Sequence, residues 1–282
     1  MSRPNPIVLV AVLAGFLAAF AGLVLMKGGL YLDAYEVDTY HLLDILFRME
    51  AGQRPHLDFV TPLGILTVWP ISRLMEAGLS VGAAIAWSQV LVAACLFPFV
   101  VYAASSRFRG GLAYAFGILT LGLVTALTYG GAEGGISISM YYNRWAWSVS
   151  FVMLALAFLP PLGRMRPALD GTVICVLGAV LLMLKVTYFV TMVPAAALVL
   201  LLGGNRRGFV FALLGGVAVV AVATAVLGPS HWVGYLSDLQ NVAGSQVRPF
   251  VGVPLNEMIA GNRFLGASVL GLLTLLMVSR SG

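Results

Sequence analysis

Long apolar stretches alternate with short polar ones along almost the whole chain. A bilayer core about 30 Å thick is crossed by about 20 consecutive apolar residues in a helix, and stretches close to that length recur here. They cover residues 6–26, 81–104, 111–129, 145–160, 208–228 and 264–278. The pattern predicts a membrane-spanning helix for each.

One further stretch, residues 171–203, is too long for a single span, and Lys185 stands near its middle. A charged side chain within the hydrocarbon is costly, so it needs a structural or functional reason. We therefore predict two short helices joined by a tight turn at Lys185. The fold class that follows is an all-α polytopic membrane protein with about eight transmembrane helices.

The segment 63–75 is shorter, contains Pro70 and leads into Glu76, which favours an interfacial helix over a span. If it does not cross, eight arginines in short clusters fall on one side of the membrane, as cytoplasmic loops require. The clusters are Arg3, Arg107 with Arg109, Arg164 with Arg166, Arg206 with Arg207, and Arg280. We expect a multi-pass protein of the inner membrane with a cytoplasmic N-terminus.

The polar loops on the other side are much longer. With this topology, residues 27–80 form the first outer loop with juxtamembrane helices, and residues 229–263 form the last outer loop. The inner loops are only a few residues each. We therefore expect one transmembrane domain over residues 1–282 that functions at its outer face.

Composition supports a membrane protein and excludes a soluble one. Hydrophobic residues make up 60% of the chain and charged residues 10%, against about 25% charged in soluble domains. The net charge of +5 could suggest nucleic acid, but the basic residues do not cluster on a soluble face. We predict membrane lipids as partners, and no nucleic acid.

The first outer loop carries the candidate chemistry. Asp33, Glu36 and Asp38 place three carboxylates within six residues, and residues 39–51 then follow the pattern of an amphipathic helix that Gly52 ends. Asp38 could cap that helix, and Glu36 could be a solvated charge. Alternatively, the three carboxylates form a general-base site or bind a divalent cation. Composition leaves these alternatives open.

The order of these features resembles the N-terminal membrane half of the polytopic GT-C glycosyltransferases. These include protein O-mannosyltransferases, the lipid A aminoarabinose transferase and transferases of the rhizobial lipopolysaccharide type. The similarity rests on the acidic residues after the first span, the amphipathic helix, Gly52-x-x-Pro55, Asp58-Phe59, Thr61-Pro62-Leu63-Gly64 and an apolar hairpin with Lys185-Val-Thr187 at its tip. It covers roughly residues 6–207.

The resemblance implies transfer of a sugar from a polyprenyl-phosphate carrier to a lipid or glycan acceptor at the outer, periplasmic face. Asp38 matches the family's presumed catalytic base. The family often has Glu next to that base, and Thr39 stands here, so Glu36 or Asp33 would supply a second carboxylate. The chain is also shorter than most members. The alternative is therefore a non-catalytic subunit of this type that binds a larger membrane complex.

A phosphate leaving group requires cations, and the candidates are Lys185 and Arg144. Tyr142 could stack on a sugar ring, and Asp58 completes the predicted substrate-binding set. The structural alternatives are a snorkelling lysine at the turn, an interfacial arginine beside Trp145, and a tyrosine of the interface belt. No cofactor is certain. No zinc spacing is present, and a divalent cation remains an option only for the carboxylates of the first loop.

A transporter or flippase is a third class. Such proteins place charged residues near the bilayer midplane, often on interrupted helices in repeated halves. Only Lys185 lies within a long apolar stretch here, and the two halves show no visible repeat. The sequence therefore favours the transferase.

Overall fold

The computed structural model describes residues 3–28, 36–126, 138, 141–244, 255–261, 265, 266, 268 and 269, without the side chains of residues 36–38, 255 and 258. Its residues divide into two units, 1–236 and 237–282. Within the described part of the second unit lie the last turns of one helix and a short helix. The packing contacts and the sites described below belong to the first unit.

Every regular element in the described ranges is an α-helix. The eleven helices there are α1 Pro6–Lys27, α2 Glu36–Glu50, α3 Ile65–Glu76, α4 Val81–Arg107, α5 Gly111–Thr125, α6 Tyr141–Phe158, α7 Pro167–Leu184, α8 Val186–Leu202, α9 Arg206–Leu227, α10 Pro229–Ala243 and α11 Leu255–Ala260. Local signals set some boundaries. The Asn5 side chain accepts hydrogen bonds from the amides of Ile7 and Val8, and Pro6 opens α1.

The chain is a helical membrane protein, but the expectation of eight spans is wrong. In the described ranges, four helices are long and apolar enough to cross a bilayer: α1, α4, α7 and α9. Helices α5 and α8 are apolar but have only 15 and 17 residues. Helix α6 has 18 residues but begins with the polar sequence Tyr-Tyr-Asn-Arg. The span expected at 264–278 lies almost entirely outside the described residues.

The helix break at Lys185 is confirmed. Helix α7 ends at Leu184 and α8 begins at Val186, with Lys185 alone between them in an extended conformation (φ −159°, ψ 114°). A Cβ atom added at Gly178 in α7 would contact Val193 in α8, so α8 returns along α7. The two helices form a hairpin, and Lys185 occupies its tip.

Small residues allow α9 to pack closely on α7. A Cβ atom at Gly171 would lie 2.3 Å from the carbonyl oxygen of Gly208, and one at Gly215 would lie 3.0 Å from Sγ of Cys175. These contacts follow the same order along both helices, so α7 and α9 are parallel and begin at the same end. Close approach through glycine is typical of helix packing in membranes.

The bundle therefore has two distinct ends. At the first, the amide of Leu162 donates to the carbonyl oxygen of Ser106 (2.9 Å), and the Arg3 guanidinium lies against Gly163. We name it the arginine end; α1, α7 and α9 begin there, and α4 and α6 end there. The other end carries Lys185 and is named the tip end.

The interior of the bundle contains polar groups that bond to one another. The indole nitrogen of Trp145 donates to Oε1 of Gln89 (2.8 Å), and the Ser148 hydroxyl donates to the carbonyl oxygen of Thr120 (3.1 Å). Trp145 is completely buried. The Trp145 ring therefore packs in the core, and the alternative of an interfacial arginine at position 144 stays a prediction.

The two helices expected in the first loop are present. Helix α2 buries Leu42, Ile45 and Leu46 and exposes Phe47, which confirms its amphipathic character. Helix α3 has 12 residues, about 18 Å of helix, which is too short to cross the hydrocarbon. Helix α2 already begins at Glu36, so Asp38 lies within its first turn and is not its N-cap.

Candidate functional site at the hairpin tip

The side chain of Lys185 folds onto the first turn of α6. Its Nζ donates to Oδ1 of Asn143 (3.1 Å) and lies 5.1 Å from the centre of the Tyr142 ring. The residue is half-buried, and this burial lowers the pKa of its amine. Two of the predicted site residues, Lys185 and Tyr142, are thus in contact, with the amine over the aromatic face.

Arg144 follows directly on this turn of α6. Its Nε and Nη2 atoms are buried and meet no hydrogen-bond partner within the described part of the chain. A buried guanidinium without a partner is unfavourable, because burial removes water that nothing replaces. Lys185 and Arg144 therefore both lie at the tip end, and no described carboxylate forms a salt bridge with either.

The first loop holds the tip in place. The amide of Gly64 and the hydroxyl of Thr67 both donate to the carbonyl oxygen of Leu184, at 3.1 and 2.8 Å. A Cβ atom at Gly64 would lie 2.1 Å from the carbonyl oxygen of Met183, so only glycine fits there. The Tyr141 hydroxyl in turn donates to the carbonyl oxygen of Thr67. The stretch Thr61-Pro62-Leu63-Gly64 is therefore a dock for the residues just before Lys185.

A buried aromatic cluster supports the same region from α10. The rings of His56 and His231 are 5.0 Å apart, those of His56 and Tyr235 are 4.6 Å apart, and the Tyr235 hydroxyl donates to the carbonyl oxygen of Leu182 (3.3 Å). Burial, and then the neighbouring His56, lower the pKa of His231, while burial raises the pKa of Tyr235 to about 12. Both side chains are therefore neutral near pH 7.

Sequence reasoning missed this cluster. His56 and His231 are far apart in the chain and follow no spacing that predicts contact. The only local signal in the sequence is the turn-rich stretch around His56. In the structure His56 has a φ of 69°, a left-handed value that non-glycine residues rarely adopt.

Among the residues that the structure describes, those brought to Lys185 do not include the predicted carboxylates of the first loop. Asp58 accepts a hydrogen bond from the amide of Arg54 (2.7 Å), so it closes the turn before Phe59, and its role in substrate binding stays a prediction. Asp33 lies outside the described residues. Glu36 and Asp38 occupy the first turn of α2, and their side chains are outside the description. Their catalytic role also stays a prediction.

An apolar groove leads away from the tip between α7, α8 and α9. Its volume is about 560 Å³, and it extends from Ile174 and Leu200 to Leu182 and Phe189. The last two residues lie within about one helical turn of Lys185 along the chain. The walls are built from aliphatic and aromatic side chains, with Cys175 and glycine between them. The groove suits an apolar chain whose polar end lies at the tip.

Metal ligands are not gathered anywhere in the described ranges. No group of three His, Cys, Asp or Glu side chains is close enough there to hold an ion. A divalent cation at Asp33, Glu36 and Asp38 stays a possibility of the sequence alone.

Comparison of the chain with protein-family models, with curated proteins and with solved structures found no significant match.

Proposed function

We propose that the protein is a membrane glycosyltransferase that moves a sugar from a polyprenyl-phosphate carrier to an acceptor at the outer face of the inner membrane. Lys185 and Arg144 bind the carrier phosphate, and Asp38 is the base that activates the acceptor hydroxyl. The observation that carries this proposal is the half-buried Lys185 next to the end of an apolar groove, with the half-buried Arg144 at the same end of the bundle and no carboxylate paired with either in the described chain.

The chemistry of the carrier matches both parts of this arrangement. A polyprenyl phosphate joins an anionic headgroup to a long apolar chain. In the proposed complex the phosphate oxygens accept hydrogen bonds from Nζ of Lys185 and from Nε and Nη2 of Arg144. The first isoprene units lie between α7, α8 and α9. The cations also stabilise the negative charge that develops on the phosphate as the sugar leaves.

The packing of the first loop supports a base at the same end. Helix α2 packs on α3, and Gly64 and Thr67, at the start of α3, bond to the carbonyl oxygen next to Lys185. Asp38 lies in the first turn of α2. In the proposed reaction its carboxylate takes the proton of the acceptor hydroxyl, which then attacks the anomeric carbon.

The experiment uses the purified full chain in proteoliposomes and separates binding from transfer. Lys185→Met removes a phosphate ligand, and we expect at least tenfold weaker retention of polyprenyl phosphate in native mass spectrometry. Lys27→Met, at the end of α1, is the matched control and leaves retention unchanged. For transfer, release of polyprenyl phosphate from a panel of polyprenyl-phosphate hexoses and pentoses is measured.

Asp38→Asn tests the base in the same preparation. We expect transfer to fall by at least a hundredfold, within the range typical of a lost general base, with carrier retention unchanged. Asp44→Asn on the same helix, whose carboxylate is exposed and paired with Arg48, keeps full activity. Full transfer in Asp38→Asn rejects the base. Unchanged carrier retention in Lys185→Met rejects the carrier site, and wild-type protein that retains no carrier favours the non-catalytic subunit.

A further inference from the structure

A second cavity lies at the arginine end. It has a volume of about 330 Å³ and is lined by Arg3, Arg107, Arg164 and Arg166 together with the hydroxyls of Ser105 and Ser106. Helix α7 separates it from the hairpin tip, because Arg166 precedes the helix and Lys185 follows it. Eighteen helical residues place the two sites about 27 Å apart along the helix axis. We name this cavity the arginine pocket.

The wall of the pocket is a rigid, buried ion pair. Nη2 of Arg107 lies 2.9 Å from Oδ2 of Asp170, with both side chains 3% exposed, and the Tyr102 hydroxyl donates to Oδ1 of Asp170 (2.6 Å). Nη1 of Arg107 also donates to Oγ of Ser106 (3.1 Å). Its Nε is buried and has no partner within the described chain, so one donor of this fixed guanidinium is left over.

The other three arginines are not neutralised. Arg3, Arg164 and Arg166 are exposed, and none forms a salt bridge with a carboxylate in the described ranges. Gly163 leaves room for one of them, since a Cβ atom there would lie 2.3 Å from Nη2 of Arg3. Four guanidinium groups against the single Asp170 carboxylate give the pocket and its wall a net charge of +3.

The preference for basic residues in cytoplasmic loops explains the number of these arginines but not their arrangement. That rule depends on the count of basic residues in short loops, and dispersed side chains satisfy it equally well. Here three separate segments, before α1, at the end of α4 and before α7, converge on one cavity. Arg109, Arg206 and Arg207 are exposed arginines of the same end that do not line it.

We propose that the arginine pocket binds a phosphate group. Phosphate oxygens accept hydrogen bonds from guanidinium groups and hydroxyls. Arg is favoured where several donors must converge on one phosphate. Because α1, α4 and α7 are long enough to cross a bilayer, the pocket lies at the level of lipid headgroups. An anionic phospholipid is therefore the expected source, and a soluble phosphate ester shares the same chemistry.

The test measures binding by the purified full chain in neutral detergent. One arm titrates phosphatidylglycerol and the other titrates glycerol 3-phosphate, with bound ligand counted by native mass spectrometry. We expect Arg164→Gln with Arg166→Gln to weaken binding at least tenfold. The double variant Arg206→Gln with Arg207→Gln removes the same charge from the same end and leaves binding unchanged. Should the first variant fail to fold, Arg3→Gln takes its place.

Each outcome decides something. Tight binding of phosphatidylglycerol alone supports the pocket with a lipid as its source, and equal binding of glycerol 3-phosphate supports it with a soluble ester. Undiminished binding in the pocket variant overturns the proposal. Equal loss in both double variants also overturns it, because a diffuse positive surface then explains the attraction. The arginine pocket lies about 27 Å from the hairpin tip along α7, so the loss in the pocket variant does not depend on the function proposed for the tip end.

Discussion

The two ends of the bundle treat their buried positive charge in opposite ways. At the arginine end, the buried Arg107 is matched by Asp170, and a tyrosine hydroxyl bonds to the same carboxylate. At the tip end, within the described chain, Lys185 donates to a neutral amide oxygen and lies over the Tyr142 ring, and the buried nitrogens of Arg144 meet no partner.

This difference separates charges that serve the fold from charges kept for a ligand. A matched buried pair satisfies itself and fixes the helices that carry it, whereas an unmatched buried cation lowers stability. A chain gains nothing structural from the second arrangement. The comparison thus predicts opposite consequences when a charge is removed from each end.

Loss of the matched charge has the largest expected effect. Asp170→Asn keeps the shape of the side chain but leaves the buried guanidinium of Arg107 without its counter-ion. We expect the free energy of unfolding to fall by about 3–5 kcal/mol. Thermal unfolding in detergent measures it, with Asp44→Asn as the control. That exposed pair with Arg48 contributes at most about 1 kcal/mol.

The double variant Arg107→Met with Asp170→Leu shows whether the loss comes from the unpaired charge. Replacing both partners with apolar residues removes the buried ion, so stability close to that of the wild type is expected. If Asp170→Asn alone unfolds at the wild-type temperature, the pair does not anchor the arginine end.

A change in the dock that holds the hairpin tip has the next largest expected effect on stability. Gly64→Ala adds a Cβ atom 2.1 Å from the carbonyl oxygen of Met183, so α3 and the tip must separate. We expect a loss of about 1–3 kcal/mol, typical of an overpacked contact, together with weaker retention of polyprenyl phosphate. Gly22→Ala in α1 meets nothing within 4 Å and is the control. Wild-type stability and retention in Gly64→Ala would show that the dock does not position Lys185.

The parts of this fold that the sequence predicts are those set by local pattern. The break at Lys185 follows from one charge in an apolar stretch, and α2 and α3 follow from their periodicity and length. The predicted number of spans is wrong because the apolar pattern does not show where each helix ends. Helix α5 ends at Thr125 although the apolar stretch continues, and α6 begins with four residues too polar for a span.

The site was predictable only in part, because its contacts join distant segments. The sequence indicates Lys185 and Arg144 as charges in or next to apolar stretches, and Tyr142 lies two residues before Arg144. Nothing local indicated that Arg107 pairs with Asp170, or that His56 packs on His231. In the sequence, Arg107 belongs to a cluster of basic residues in a short loop. Such a cluster predicts a side of the membrane but not a partner for the side chain.

Removal of the unmatched charge has the smallest effect and the opposite sign. Arg144→Met replaces a buried, unpaired guanidinium with an apolar side chain of similar length, so stability should stay equal or rise by about 1 kcal/mol. Arg107→Met, the same substitution at the matched site, should lose about 3–5 kcal/mol because Asp170 is then left unpaired. Added polyprenyl phosphate should raise the unfolding temperature of the wild type but not of Arg144→Met, since a ligand stabilises only the state that binds it. If Arg144→Met is as destabilised as Arg107→Met, Arg144 has a counter-ion within the protein, and the two ends no longer differ in the way that assigns the carrier phosphate to Arg144.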